Sequence, residues 1–389
     1  MALNEMQQLA VDTTEGPLLI LAGAGSGKTT VLVNRVEHII SSRLATPWQV
    51  LAITFTNKAA GELRERLVSA IGDEANDIWA YTFHSCCSRI LRRFGERIGY
   101  TNHFTIYDTD DSRRVMKQCQ KQLGIEDKLI NHKSILAEIS RAKDSLISPD
   151  EYKQTSQNDF RKSKIAECYE MYQKELKKSD AMDFDDIIFN TVKLLEENED
   201  VRDLYQTQFK YVMVDEYQDT NLIQKDIIYL LAGQDGNLAV VGDDDQSLYA
   251  FRGAKPEIML NFQKEYPKSK MVKMSTNYRS GKTIISEADR VIKSNTNRFQ
   301  KDFIGFKPEN GAVEYIVTKE KKDEILKVFS RIKILLNDGE NPADIAVLFR
   351  TNRQAEKMAA ILFRNQIPFQ SNEKIQSKYE HWMFQDLQA

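Results

Sequence analysis

A run of small residues that ends in one lysine and two threonines is the first part of the sequence that could do chemistry. It follows four apolar residues, 18–21, and precedes a segment with helical periodicity, 31–41. Small residues let the backbone wrap around a phosphate, so that its N–H groups and the N-terminus of the helix face the anion. In the strand, loop and helix order of a P-loop, the lysine supplies a positive charge and the first threonine a hydroxyl for Mg²⁺. The residues of this candidate P-loop are Ala22, Gly23, Ala24, Gly25, Ser26, Gly27, Lys28, Thr29 and Thr30.

Two carboxylates stand where a triphosphatase would need them. Asp215 and Glu216 come directly after the apolar segment 211–214. At the end of a strand beside a P-loop, one carboxylate holds Mg²⁺ through water and another polarises the attacking water. We assign the metal to Asp215 and the role of general base to Glu216. Since a kinase-like phosphotransferase needs no such base, the pair favours hydrolysis of a nucleoside triphosphate.

The composition of the chain excludes several other classes of protein. Its 389 residues are 41% hydrophobic, and no stretch approaches the roughly 20 apolar residues of a membrane-spanning helix. The cysteines form no CxxC pair and no Cys/His cluster, which argues against a disulfide framework and a zinc site. A formal net charge of −3 excludes a histone-like positive coat, so any contact with nucleic acid must be made by a local groove. Because the N-terminus lacks the basic start and apolar run of a secretory signal, we expect a cytoplasmic protein with no membrane partner.

Six short apolar segments must position these residues. Their continuous rather than alternating apolar character is typical of strands covered on both faces, which predicts a parallel sheet in an α/β domain. Between 83 and 211 the sequence has helical periodicity and many charges but no good strand, so we expect a helical subdomain inserted between two strands of one sheet. The six segments are 17–22, 50–56, 78–83, 211–215, 238–242 and 271–276.

We expect the chain to have three parts. After 277 the pattern restarts with three strand-like and two helical segments, which is too little for a full doubly wound domain. Since 381–389 has the pattern of an amphipathic helix without a capping residue, we also expect a chain that is cut within this second domain. The parts are a first domain of 1–104 and 183–276, an inserted helical subdomain of 105–182, and an incomplete second domain of 277–389. The expected strands of the last part are 313–318, 345–349 and 367–369, and its expected helices are 321–336 and 352–365.

Six further segments accompany the P-loop. Together they resemble the motifs of the superfamily 1 DNA helicases of the UvrD/PcrA/Rep type and follow the same order as in that family. Six ordered matches are far more specific than any one alone. The resemblance covers essentially the whole chain. It implies a RecA-like P-loop NTPase sheet with an inserted helical subdomain, a second and incomplete RecA-like domain, and ATP with Mg²⁺ as cofactors. The segments are 3–11, 51–60, 81–85, 214–221, 241–254 and Asn277-Tyr278-Arg279-Ser280.

The resemblance implies a role for four residues around the nucleotide. Gln7 would hydrogen-bond the adenine, and Tyr278 would stack on it. Gln246 would sense the γ-phosphate and connect it to a DNA-contacting surface a few residues later. Arg279, carried by the second domain, would reach the γ-phosphate across the cleft. With Lys28 and Glu216, the last two complete the candidate catalytic set.

The resemblance also implies a set of DNA contacts. A motor that moves along a single strand must hold DNA without reading its sequence, which favours aromatic rings for base stacking and hydroxyls and amides for phosphates. The family usually has tryptophan where Phe251 stands, so we expect the smaller ring to weaken stacking there. The candidate aromatic platforms are Phe55, Tyr249 and Phe251, and the candidate polar contacts are Thr56, Asn57, Thr82, His84 and Asn352.

Three functions stay open at this point. The first is the motor of an ATP-dependent DNA helicase, moving 3′ to 5′ as the resemblance implies, with single-stranded DNA, strand junctions and repair or replication proteins as partners. The second is a nucleotide-switched single-stranded DNA-binding module with weak ATPase activity. The third is the helicase arm of a RecB/AddA-like nuclease complex, although the compact spacing fits a stand-alone helicase better. Since two later motifs of the family are not in the chain, we expect slow ATP hydrolysis with weak DNA stimulation and no unwinding by this chain alone.

Overall fold

The computed structural model describes residues 2–234, 236–249 and 253–371. Contacts within the chain divide it into two compact units, Met1–Ala312 and Val313–Ala389. Within the described ranges, no helix has both the length and the apolar character needed to cross a membrane. The amphipathic helix that we predicted for 381–389 lies outside the described residues.

Six strands of the first unit form one sheet in which all neighbouring strands are parallel. The strands of the described chain are β1 (Leu18–Ala22), β2 (Val50–Thr54), β3 (Trp79–Thr82), β4 (Thr105–Ile106), β5 (Ala181–Met182), β6 (Tyr211–Val214), β7 (Asn237–Gly242), β8 (Lys270–Met274), β9 (Thr276–Asn277) and β10 (Ile304–Gly305). The order across the sheet is β3-β2-β6-β7-β1-β8. Because the strands are parallel, the loops that follow their carboxyl ends meet at one edge of the sheet.

The apolar sequence of these strands explains why they lie in the middle of the unit. Strands β1, β2 and β6 are buried along their whole length. Successive side chains of a strand point to opposite faces, so Leu19 and Leu21 pack into one apolar core and Leu18 and Ile20 into another. Each of the six predicted segments overlaps one strand of this sheet, and the predicted parallel α/β fold is confirmed.

Helices cover both faces of the sheet and make up the insertion. The helices of the described chain are α1 (Glu5–Asp12), α2 (Lys28–Ser41), α3 (Asn57–Ile71), α4 (Phe83–Phe94), α5 (Thr109–Gln122), α6 (His132–Asp144), α7 (Pro149–Thr155), α8 (Phe160–Lys178), α9 (Phe184–Glu197), α10 (Glu199–Gln208), α11 (Leu222–Ala232), α12 (Pro256–Leu260), α13 (Phe262–Glu265), α14 (Lys282–Ile292), α15 (Lys321–Asn337) and α16 (Asn352–Arg364).

Helices α5, α6 and α8 pack around an apolar core of their own, which includes Met116, Ile139 and Tyr172. The short strands β4 and β5 pair in parallel where the chain enters and leaves this helical segment, with Thr105 opposite Ala181. Our sequence analysis found no good strand between 83 and 211 and did not predict these two short strands. Two residues per strand are too few to produce an apolar pattern in the sequence.

A buried ion-pair cluster joins α6 to α9. Lys143, near the end of α6, is 1% exposed, and its ammonium lies 2.7 Å from Asp183 Oδ2 and 2.9 Å from Asp186 Oδ1. Asp183 caps α9 and also accepts a hydrogen bond of 3.0 Å from the Tyr172 hydroxyl. Burial, and then the charge of Asp183, raise the pKa of Asp186 to about 6, although Lys143 opposes the shift. Lys143 therefore offsets two carboxylates that are costly to bury alone.

The second unit, as far as residue 371, contains the two helices that we predicted, α15 and α16. They pack around a small apolar core that includes Ile332, Met358 and Leu362. The same three residues help to line a cavity, and all the residues that line it belong to this unit.

The three strands predicted for the second unit are wrong. The segments 313–318, 345–349 and 367–369 have no strand pairing among the described residues. Some of their apolar side chains are almost fully exposed, with Val317 at 95% and Leu348 at 93%. A strand exists only with a neighbour that pairs with its backbone, so apolar composition alone was not sufficient for the assignment.

Replacing Lys143 with methionine should lower the free energy of unfolding by about 3–5 kcal/mol, because two carboxylates would stay buried without their cation. Urea-induced unfolding followed by circular dichroism measures the change. The control is Lys174→Met, which removes a largely exposed ion pair with Glu170 and should cost less than about 1 kcal/mol. Equal losses in the two variants would contradict the stabilising role of the buried cluster.

Candidate functional site

The P-loop connects the end of β1 to the start of α2. Gly25 and Gly27 have positive φ angles of 67° and 87°, which glycine adopts without strain. A side chain at Gly25 would lie 2.6 Å from Cβ of Arg279, and one at Gly23 would overlap the ring of Phe303. Small residues are therefore required here because two later segments of the chain approach the loop closely, whether or not a phosphate is bound.

Lys28 is ion-paired with the second carboxylate of the acidic pair. Its Nζ lies 2.7 Å from Glu216 Oε2, and Gln218 Nε2 donates to the same oxygen at 2.8 Å. Glu216 has a φ of 50°, in the left-handed region that few residues other than glycine adopt. Such a conformation costs about 1–3 kcal/mol and persists where the surrounding structure enforces it. At the end of β6 it directs the Glu216 carboxylate to the P-loop lysine.

Asp215 is partly buried beside Glu216. Its Oδ1 accepts the backbone N–H of Glu216 at 2.9 Å. Burial, and then the charge of Glu216, raise the pKa of Asp215 to about 6, and Lys28 opposes the shift. A divalent cation beside this carboxylate would offset both causes. Because Mg²⁺ prefers oxygen ligands, Asp215 and the Thr29 hydroxyl fit such an ion.

A cavity of about 420 Å³ opens over the P-loop. It brings together most of the residues that we predicted for the nucleotide, including Glu216, Gln246 and Arg279, whereas Gln7 and Asp215 do not line it. Ala22, Gly23 and Ser26 build the loop but do not line the cavity. The lining residues are Ala24, Gly25, Gly27, Lys28, Thr29, Thr30, Arg66, Glu216, Gln246, Tyr278 and Arg279.

Arg66 is the cavity residue that our sequence analysis missed. It lies on α3, a helix with many charged residues whose sequence looks like a solvated face. Helix α3 packs against α2, the helix that begins at the P-loop, and this contact brings Arg66 to the cavity. No signal within the sequence of α3 distinguishes Arg66 from the other basic residues of the helix.

Both ends of the Gln7 amide are hydrogen-bonded, one to the P-loop and the other to the residue that caps α1. Its Nε2 donates to the carbonyl oxygen of Ser26 at 2.9 Å, and its Oε1 accepts the backbone N–H of Asn4 at 2.9 Å. The Asn4 side chain in turn accepts the backbone N–H of Gln7, which completes a capping box at the start of α1. The cap therefore orients the residue that we predicted to read adenine.

Tyr278 is held between the same cap and the P-loop. Its hydroxyl accepts a hydrogen bond of 2.7 Å from Asn4 Nδ2, and its backbone N–H donates to Gly25 O at 2.9 Å. The preceding residue, Asn277, donates from Nδ2 to Ala24 O at 2.8 Å. Sequence analysis included both asparagines in motifs without assigning them a task, and the structure makes them the supports of the cavity.

Gln246 is linked to the acidic pair through two side chains. Its Nε2 donates to Asp243 Oδ2 at 2.6 Å. The backbone N–H of Asp243 donates to Gln218 Oε1 at 3.0 Å, while Gln218 Nε2 donates to Glu216. The predicted γ-phosphate sensor and the predicted general base are thus joined by a continuous line of hydrogen bonds.

Five of the predicted DNA contacts lie where two neighbouring strands end. Strands β2 and β3 pair in parallel, with Thr54 opposite Thr82, so the residues that follow them share one edge of the sheet. Thr56 caps α3 and Thr82 caps α4, so both hydroxyls already accept a backbone N–H. The other three residues of this group are Phe55, Asn57 and His84.

The rings of this group are only partly available. Phe55 makes an edge contact with Phe83, with 5.6 Å between ring centroids, and packs against the core. His84 makes an edge contact with Phe184 at 6.0 Å, and burial lowers its pKa. Asn57, by contrast, is exposed at the first turn of α3.

The remaining predicted DNA contacts are separate from this group in the sequence. Tyr249 is partly exposed in the first unit, after the loop that carries Gln246. Asn352 is exposed at the start of α16 in the second unit. Phe251 lies outside the described residues.

Asp215→Asn should make the metal-free protein more stable at pH 7.5. The folded-state pKa of about 6 exceeds the ordinary value of 3.8, so the folded protein binds this proton more tightly than the unfolded chain. The cost of ionising Asp215 is therefore fully present above pH 6 and is lost as the pH falls towards 4. We expect a gain of about 1–3 kcal/mol at pH 7.5 and a smaller gain at pH 5, measured by urea unfolding. Asp203→Asn, at an exposed carboxylate on α10, is the control, and a gain that does not depend on pH would contradict the assignment.

Comparison with known proteins agrees with this geometry. Residues 3–267 match the UvrD/REP helicase N-terminal domain, and residues 272–379 match the UvrD-like helicase C-terminal domain. The ATP-dependent DNA helicase PcrA of Leuconostoc citreum is 43% identical over 369 residues, which are 94% of this chain and 49% of that protein. The ATP-dependent DNA helicase PcrA of Staphylococcus aureus strain Mu50 is 41% identical over 367 residues, 94% of this chain and 50% of that protein. The chain thus spans about half the length of these relatives, and it belongs to the UvrD/REP helicase family.

Proposed function

We propose that this chain binds ATP with Mg²⁺ and hydrolyses it as part of a motor that moves along single-stranded DNA. The observation that carries the proposal is the cavity in which Lys28, Glu216, Gln246 and Arg279 converge. A positive charge that binds the phosphates, a general base, a γ-phosphate sensor and an arginine finger are the parts that triphosphate hydrolysis requires.

The base of ATP has a ready recognition group in Gln7. An amide oxygen can accept two hydrogen bonds and an amide nitrogen can donate two. The Gln7 oxygen accepts one hydrogen bond from Asn4, and the Gln7 nitrogen donates one to Ser26. The oxygen can therefore accept a second bond from the adenine N6 amino group, and the nitrogen can donate a second bond to N7. Tyr278, whose hydroxyl is held by Asn4, offers its ring for stacking on the base.

The phosphates would compete with Glu216 for Lys28. The Lys28 ammonium donates to Glu216 Oε2, and phosphate oxygens in the P-loop would draw it away. Glu216 could then accept a proton from the attacking water while Gln218 holds it in orientation. Thr29 and Asp215 would hold Mg²⁺, which supplies charge neutralisation on the phosphates. Arg66 and Arg279, both on the cavity wall, add positive charge for the same purpose.

Single-stranded DNA would lie along the edge formed by the ends of β2 and β3. The threonine caps, the exposed Asn57 and the partly buried rings of Phe55 and His84 meet there. Hydroxyls and amides suit phosphate oxygens, and an aromatic ring can stack on any base, so this edge could hold a strand without reading its sequence. Tyr249, Phe251 and Asn352 remain further proposed DNA contacts.

We keep the three-part division as a proposal. The apolar core of the helical segment draws its residues from 107–181, which supports an inserted subdomain of 105–182. For the whole protein we propose 3′ to 5′ unwinding at junctions between single and double strands, in the cytoplasm, with a role in DNA repair or replication. The name of the two relatives, ATP-dependent DNA helicase, supports the unwinding activity. ATP hydrolysis measured with and without single-stranded DNA would separate a motor from a nucleotide-switched binding module.

Lys28→Ala should abolish tight binding of ATP, whereas Glu216→Gln should keep binding and lose at least about a hundredfold in turnover. The first change removes the positive charge that binds the phosphates, and the second removes only the general base. Calorimetric titration with a non-hydrolysable ATP analogue and a phosphate-release assay measure the two effects. Lys133→Ala, at an exposed lysine of α6, is the control. Unchanged binding in Lys28→Ala would overturn the P-loop assignment.

Asn57→Ala should weaken single-stranded DNA binding by on the order of tenfold, because a hydrogen bond to a charged phosphate is lost. Nucleotide affinity should not change. Fluorescence anisotropy of a labelled oligothymidine at several salt concentrations measures the effect, and affinity should fall as salt rises. Asn76→Ala is the control, since this exposed asparagine precedes β3 at the opposite edge of the sheet. Equal losses in the two variants would argue against the proposed DNA path.

A further inference from the structure

Three consecutive aspartates follow β7, and two cations that follow α14 offset two of their three charges. Lys301 Nζ lies 2.5 Å from Asp243 Oδ1, 2.5 Å from Asp244 Oδ1 and 2.8 Å from Asp245 Oδ2. Arg298 binds both oxygens of Asp245, at 2.7 Å from Nε and 2.6 Å from the terminal nitrogen. We refer to these five residues as the aspartate clasp. Nothing in the nucleotide roles described above uses the two cations.

The clasp is buried, and Lys301 is at its centre. The Lys301 side chain is 4% exposed and the three carboxylates are between 1% and 9% exposed. Like charges in a site of this kind repel each other strongly when water is excluded. Lys301 is the only residue of the clasp that contacts all three carboxylates, so their present arrangement depends on its ammonium.

The clasp controls the orientation of Gln246 through one shared carboxylate. Asp243 uses Oδ1 for Lys301 and Oδ2 for the Gln246 amide, at 2.6 Å. The backbone N–H of Gln246 also donates to the Asp243 carbonyl oxygen at 2.8 Å. A rotation of the Asp243 carboxylate that broke its bond to Lys301 would also release the Gln246 side chain.

The segment that carries Lys301 also contacts the P-loop and leads to the arginine finger. The ring of Phe303 packs against Gly23 so closely that a methyl group there would overlap it. Strand β10 then pairs with β9, with Gly305 opposite Asn277, two residues before Arg279. One short segment is thus in contact with the sensor loop, the P-loop and the strand before the arginine.

We propose that Lys301 is a positioning residue for the γ-phosphate sensor, which holds the Gln246 amide ready through Asp243 and so determines how well the site distinguishes ATP from ADP. The inference rests on the proposed function, since it requires that a nucleotide occupies the cavity. Without Lys301, the three aspartates would repel one another and the loop that carries them would move. Excess negative charge would also remain beside the γ-phosphate. ADP lacks that phosphate, so its binding should be nearly unaffected.

The test compares Lys301→Met with the parent chain. Calorimetric titration with ADP and with a non-hydrolysable ATP analogue gives the ratio of the two dissociation constants. We expect Lys301→Met to shift this ratio against the ATP analogue by about tenfold. The affinity for ADP should change by less than about twofold. The fold-decrease in kcat should be larger than the fold-change in KM. Gln246→Ala should give a similar shift, and the double variant should be no worse than either single variant.

Two further variants separate this role from mere stability. Lys273→Met is the matched control, because Lys273 is exposed and contacts the neighbouring Gln300 carbonyl but no aspartate of the clasp. Lys301→Arg retains the charge and should recover part of the ratio. If Lys301→Met does not fold, Lys301→Arg carries the test, because a planar guanidinium cannot bring one nitrogen to all three carboxylates and a severalfold shift should remain.

The outcomes are distinct for the two proposals. If the parent binds neither nucleotide, the proposed function fails. If the parent binds both and the ratio is unchanged in Lys301→Met, or in Lys301→Arg when that variant carries the test, the positioning role of Lys301 is wrong while the nucleotide site stands.

Discussion

The ion pair between Lys28 and Glu216 is the interaction on which the rest of the site depends. It joins the P-loop at the end of β1 to the acidic pair at the end of β6, two strands that are not neighbours in the sheet. From Glu216 a line of hydrogen bonds continues through Gln218 and Asp243 to Gln246. A change at the lysine can therefore reach the sensor loop without a rearrangement of the core.

The parallel sheet makes this line of contacts possible. All six strands run in the same direction, so every functional loop leaves from the same edge, whatever its distance along the sequence. The buried strands keep those ends in register, and the strained conformation of Glu216 persists because β6 is held on both sides. Residues of the predicted DNA contact leave from the same edge at β2 and β3. The proposed nucleotide contacts and the five proposed DNA contacts that follow β2 and β3 are thus positioned by one sheet.

Much of this arrangement could be predicted from the sequence, because its signals are local. The P-loop, the acidic pair and the six apolar segments each occupy a few consecutive residues, and the parallel sheet follows from them. Arg66 could not be predicted, because it reaches the cavity through the packing of α3 against α2. The partners of Lys143 and Lys301 are 40 or more residues away, and a lysine gives no sign of which carboxylate it will meet. The strands expected for 313–369 failed for a related reason, since pairing depends on a neighbour that composition does not reveal.

We propose that the nucleotide changes the affinity for DNA through the hydrogen bonds between Glu216 and Gln246. The most direct test is the affinity of this chain for a labelled oligothymidine, measured by anisotropy without nucleotide, with ADP and with a non-hydrolysable ATP analogue. We expect the affinities with ADP and with the analogue to differ at least severalfold, and Gln218→Ala, which interrupts the line, to bring them together. Identical affinities of the unaltered chain in all three conditions would contradict this coupling between nucleotide and DNA.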